Sequence, residues 1–260
     1  ETVSESALHR LRRRFARPAK LPSERDWERS DLLEARPVAR HPELISDGGG
    51  LPFPPAALTG PPGELDPQDP AVVVLLAEIA KAANPKRGLR EPEGPPPTQP
   101  GLEAWRLLAR SDDEALFGRG NPPRLLTVAV RQDARRRTWA RSAVSAARPL
   151  RATRDGIRAS SWRLDPTQQP DPDATVLRVL VTEQTFSGSQ YAHGRVLAPD
   201  LYLDGERLLL TMFVTPRPGF QNRAPNPETP VRITLPHPLG QRQLVDGALY
   251  DPTPPGGSSA

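Results

Sequence analysis

From Thr175 to Tyr250 apolar and polar positions alternate in short runs separated by turn residues, the period-two pattern of strands with one buried face. Ala174 to Thr182 reads as one strand, with Leu177, Val179 and Val181 on one face. Asp200 to Val214 reads as two, joined at Asp204-Gly205, a dipeptide suited to the positive φ angles of a type I′ hairpin turn. The same period begins near Gly101. Glu103 to Ala109 and Ala115 to Phe117 flank Ser111-Asp112-Asp113 as a hairpin, and Leu126, Val128 and Val130 alternate through Arg124 to Arg131. Further strands are expected over Thr138 to Val144 and over Ile157 to Leu164, the latter after an Asp155-Gly156 turn. The total of about ten short strands predicts a mainly β fold, an antiparallel sandwich or barrel.

The first hundred residues lack this period. Thr2 to Glu5 has capping-box spacing, and Leu8, Leu11 and Phe15 then recur at helical intervals until Pro18, with Arg10, Arg12, Arg13, Arg14 and Arg17 on the other face. A second capped start at Ser23 leads through Trp27 toward Leu33. Arg36 to Pro70 holds Gly48-Gly49-Gly50, Pro54-Pro55 and Pro61-Pro62-Gly63, and reads as an extended linker. Asp69-Pro70 then supplies an N-cap and an N1 proline for a helix over Ala71 to Ala83 that is apolar almost all round and needs a partner surface. Glu91 to Pro100 is a polyproline-like spacer. The expected organisation is therefore a Pro/Arg-rich, partly helical N-terminal extension over residues 1–100, a β-rich domain over 101–250 and a disordered tail over 251–260.

Composition narrows the classes. With 34 prolines in 260 residues, long helices and uninterrupted central strands are disfavoured. The longest apolar run, Ala71 to Ala77, is far too short for a transmembrane helix, which needs about 20 residues. The absence of cysteine excludes disulfides, thiolate catalysis and cysteine-ligated zinc. Glu1 opens the chain with no export signal after it, as expected of a mature or excised sequence. Net charge is +4, and Lys20, Lys81 and Lys86 are the only lysines, so the basicity is carried by arginine as in the coding bias of a GC-rich genome.

Ten arginines fall between Arg131 and Arg163, against Asp133 and Asp155. On strands, Arg135, Arg137 and Arg141 with Arg158 would line one face beside Trp139, an arrangement suited to an anionic polymer or a membrane surface. A simply solvated sheet face is the plainer alternative, and no motif for nucleic acid accompanies the cluster. His9, His41, His193 and His237 have no metal-ligand spacing; a site joining His193 and His237 to Asp200 or Glu183 would need the fold to bring them together. No cofactor is expected. Ser187-Gly188-Ser189 lies in a loop without a nucleophile elbow, and a hydrolase built on Ser189, His193 and Asp200 is the alternative to a non-enzymatic module. Glu183 continues the inward face of Leu177, Val179 and Val181, so pairing with an arginine such as Arg195 or Arg232 is expected, with a general-base role as the other option.

Several short motifs occur in order: Leu116 to Pro122, Ser161 to Pro166, Val179 to Gln184, Gly188, Gly194-Arg195-Val196, Gly219-Phe220-Gln221, Asn226-Pro227, Thr229-Pro230, Pro238-Leu239-Gly240 and Val245-Asp246-Gly247. Together they resemble a domain of uncharacterised exported proteins and lipoproteins of high-GC Gram-positive bacteria, over roughly Gly101 to Tyr250. The resemblance implies an extracytoplasmic setting, secreted or membrane-anchored, and no catalytic residue. Similar proteins carry cysteines where this chain has Ala147, Phe186 and Arg223. If those cysteines pair, this chain lacks links worth about 2–4 kcal/mol each and either compensates by packing, for which Phe186 but not Arg223 is suited, or is a tolerated variant.

Overall fold

The computed structural model describes residues 21–59, 61–62, 65–83, 101–167, 169, 171–219, 222 and 224–250. The amphipathic helix expected before Pro18, the spacer over 91–100 and the tail after 250 lie outside these residues. In chain order the first elements are α1 (Glu24–Glu28), β1 (Asp31–Glu34), β2 (Arg36–Pro37), β3 (Leu44–Ser46), α2 (Ala56–Thr59) and α3 (Pro70–Ala83). Then come a 3₁₀ turn (Leu102–Ala104), β4 (Trp105–Arg110), β5 (Glu114–Arg119), β6 (Leu126–Gln132) and β7 (Trp139–Ala146). The chain continues with β8 (Arg151–Arg154), β9 (Ile157–Arg158), β10 (Ser161–Leu164) and β11 (Val176–Thr182). It ends with β12 (Asp200–Asp204), β13 (Arg207–Thr211), β14 (Thr229–Thr234) and β15 (Gln243–Asp246). The protein is mainly β, with 39% strand and 12% helix, and its sheets pack as a sandwich without closing into a barrel.

Two four-stranded sheets, ordered β1-β14-β11-β10 and β15-β13-β12-β2, make the sandwich. Alternation does the work. Leu177, Val179 and Val181 of β11 face Leu201, Leu208, Leu210 and Leu244 of the other sheet within one core, joined by Trp162, Val231 and Ile233. Within the first sheet Val179 stands opposite Val231 and Leu177 opposite Ile233, cross-strand pairs of the kind that stabilise sheets. The hairpins at Asp155 and Gly205 differ in turn type. Asp155 and Gly156 have φ of 51° and 76°, as in a type I′ turn. Arg207 pairs with Asp204, so Gly205 and Glu206 are the central residues, and only Gly205 has positive φ (58°), the type II′ pattern rather than the I′ turn expected.

The N-terminal segment belongs to the sheets. Ser23 starts α1 with a capping box to Asp26, but the helix ends at Glu28, and Leu33 lies in a strand. The chain then runs extended from one sheet to the other: β1 pairs in parallel with β14, and β2 in parallel with β12, with buried Ala35 at the corner. Ala35 N–H bonds the Thr234 carbonyl of one sheet (2.9 Å), and Arg36 N–H bonds Pro199 beside the other (2.8 Å). The sheets are built mainly of antiparallel pairs, as expected, with these two pairs and that of β13 and β15 parallel. Edges tolerate short, proline-bearing partners, so the signal in Asp31–Pro37 is weak.

A second core surrounds the meander β4-β5-β6-β7. On one face Ala115, Phe117, Val128 and Val130 pack under Ala71, Val72 and Leu75 of α3, the partner surface that helix required. Asp69 Oδ1 accepts the Ala71 N–H at 2.8 Å as the N-cap. On the other face Leu108, Leu116 and Ala129 are covered by Ile45, Phe53 and Leu58. The described residues between 36 and 70 are therefore not the extended linker read from their prolines and glycines. A Cβ at Gly50 would lie 2.9 Å from Leu116 Cδ1 and 3.0 Å from Ala129 Cβ, so glycine there permits close approach to the sheet.

The three-stranded sheet β3-β8-β9 ties the two regions together. Ile45 pairs with Ala152, and Ala152 N–H bonds the Ala248 carbonyl at 2.9 Å. Polar groups close the joint. Asp200 takes Arg36 (2.7 Å) and Arg154 (2.6 Å), and His41 Nε2 meets the Gly247 carbonyl at 2.6 Å.

Candidate functional site

The structure disperses the five residues expected on one basic face. Arg135 and Arg137 are not on a strand but in the turn joining β6 to β7. Asp133 builds that turn: its Oδ1 accepts the N–H groups of Arg135 (2.9 Å) and Arg136 (2.8 Å), and its carbonyl accepts that of Arg137 (2.8 Å). Arg137 adopts φ 55°. Gln132 to Arg137 contains no β-branched or aromatic residue, and that run, led by aspartate, was the available sign of a turn.

Trp139 and Arg141 do lie on β7, facing α3. Trp139 is half-buried under the Arg110 guanidinium, 5.8 Å from its ring centroid, and Arg110 is held by Asp69 at 2.5 Å. Arg141 bonds Glu78 of α3 at 2.9 Å, and Glu78 also takes Lys81 at 2.6 Å. These bonds, that to Lys81 first, hold the Glu78 pKa below its ordinary value against the opposing effect of burial. Arg158 is elsewhere, on β9, half-buried beside Gly48 and the Pro149 carbonyl. Burial and then neighbouring Arg151 push its pKa down. The strand alternation that put Arg158 with the others was read without knowing that β9 pairs only with β8.

What remains basic and open is the β6–β7 tip. Arg135, Arg136 and Arg137 are exposed, and their guanidinium groups have no hydrogen bond or ion pair among the described residues. The next arginine along, Arg131, is by contrast neutralised by buried Glu114 at 2.6 Å, a bond that raises its pKa. Arg136 was missed because strand alternation would have turned it to the opposite face.

The remaining polar candidates have structural partners. Glu183, 5% exposed, receives both guanidinium ends of Arg195 (3.0 and 2.7 Å) and the Thr185 hydroxyl (2.7 Å), as its inward position required. Arg232 instead donates to the carbonyls of Glu28 and Ser30. Ser187 Oγ donates to the Gln190 carbonyl (2.9 Å), and Ser189 Oγ to that of Pro225 (3.2 Å). The His193 ring lies tilted against Tyr191, centroids 5.5 Å apart, while Asp200 is held by its two arginines. No cluster of three or more potential metal ligands occurs among the described residues. Phe186 is 50% exposed and fills no interior volume, contrary to the role its size suggested; Arg223 lies outside the described residues.

Fold and surface together define a β-sandwich protein with an appended, helix-covered meander. Comparison with protein-family models, with curated proteins and with solved structures finds no match to this chain.

Proposed function

We propose that this protein is a non-enzymatic, exported, envelope-associated module that binds an anionic polymer or lipid surface through the β6–β7 tip. The observation that supports the reading is the run Arg135-Arg136-Arg137, exposed and without acidic partners in a turn shaped by Asp133. Neighbouring Arg110, Arg131 and Arg141 are each neutralised by a carboxylate, so the uncompensated charge is concentrated at the tip. Asp112 and Asp113 on the β4–β5 turn oppose it from the same end of the sheet and bias the direction from which a polyanion approaches. The exported setting rests on the resemblance of the ordered motifs between Gly101 and Tyr250.

Retention on heparin and on phosphatidylglycerol vesicles tests the reading. The triple variant Arg135→Ser, Arg136→Ser, Arg137→Ser is expected to lose salt-dependent retention, whereas Arg141→Ser keeps it. Unchanged retention of the triple variant rejects the proposal.

A further inference from the structure

At the opposite end of the meander an open groove of about 430 Å³ runs between the second half of α3 and the sheet. Its walls are apolar: Leu75 and Ile79 from the helix, and Leu126, Val128 and Val144 from β6 and β7. Trp105 lies in the same lining, 2% exposed, and its Nε1 has no hydrogen-bond partner among the described residues. The charges around it are unbalanced. Arg119, Arg141 and Lys81 line the groove with Glu78 as the sole acid, and Glu78 divides itself between Lys81 and Arg141. Arg119 has no acidic partner among the described residues and sits over the Trp105 ring, 5.5 Å from its centroid.

We infer that this groove binds a medium-chain fatty acid, its alkyl chain along α3 and its carboxylate between Arg119 and Arg141. A small inorganic anion would leave the apolar walls unused, and a neutral hydrocarbon would leave Arg119 without an acidic partner. The positive balance repels a cationic amphiphile. The volume lies within the range of about 300–1,000 Å³ typical of small-molecule sites, and apolar walls with a few convergent polar groups are their usual lining.

The full chain titrated with sodium dodecanoate below its micellar concentration, followed by calorimetry and tryptophan emission, is expected to bind one molecule saturably. Dodecanol and dodecyltrimethylammonium are expected to bind at least about tenfold more weakly, and acetate not at all, since each lacks one half of the recognition. Val144→Asp, a change at a residue 48% exposed, places a repelling charge at the lip and is expected to weaken dodecanoate about tenfold. Arg119→Ala gives a second reading that does not depend on Val144. The Arg135–Arg137 triple variant keeps full affinity, which separates this site from the tip. No saturable binding, equal affinity for dodecyltrimethylammonium, or wild-type affinity in both Val144→Asp and Arg119→Ala overturns the inference.

Discussion

The sandwich is assembled from segments far apart in the chain, with Asp31 pairing Val231, whereas the meander is four consecutive strands between Trp105 and Ala146. Two facing sheets seal each other, so the sandwich supplies its own cover. A lone sheet buries neither face by itself, and the meander borrows α3 for one side and the β3–α2 segment for the other. The difference teaches where binding surface arises. Edges and ends of the borrowed cover leave the basic tip and the α3 groove open, while Glu183 and Asp200 of the sandwich are each held by arginines.

The widest separation between the two regions should come from Phe117→Ala, which removes a fully buried ring between β5 and α3. A loss of about 3–5 kcal/mol is expected. Hydrogen exchange should quicken across β4–β7 while β11 and β14 stay protected; equal quickening in both would show one cooperative unit and dissolve the distinction.

Next in size is Arg195→Leu, confined to the sandwich, which strands the Glu183 carboxylate in the interior. It should cost about 3 kcal/mol near neutral pH, measured by urea unfolding, and adding Glu183→Gln should restore most of it. No recovery in the double variant would mean that Arg195 acts through its bonds to Thr215 and Tyr191 instead.

The smallest expected effect concerns the joint between the regions. Burial raises the Asp246 pKa to about 6 despite the Ala248 N–H and the nearby Arg151, so the folded chain keeps a proton that the unfolded chain releases. This group's contribution is present in full below about pH 4 and is lost as pH rises through about 6, on the order of 2 kcal/mol of it between pH 4 and pH 6. His41 works in the other direction. Its burial lowers the pKa, so stability is lost as pH falls through the ordinary histidine value of 6.5. In thermal unfolding, Asp246→Asn should gain on the wild type between pH 4 and pH 6; a constant difference across that window would place the Asp246 charge outside the folding equilibrium.

Much of the fold was legible because its signals are local. Leu177, Val179 and Val181 declared an inward face, and Glu183 followed them into the interior where an arginine was required. The helix at Pro70–Ala83 was readable from its Asp69 cap and its apolar run. The N-terminal segment was not legible, because prolines and glycines that usually mark linkers also suit parallel edge strands and close approach to a sheet, as at Pro37 and Gly50. The arginine face was misread for a related reason. Alternation indicates which residues share a side only if the strand continues, and Asp133 ends it.

Local periodicity, caps and turn residues thus determined which segments become strands and helices and which side chains turn inward, since each depends on only a few neighbours along the chain. Strand order, the parallel edges at β1 and β2, the Glu78 bond to Arg141 and the burial of Trp105 under α3 were decided by the tertiary structure. Those features depend on which distant apolar faces must cover one another, and no short window of sequence contains both partners.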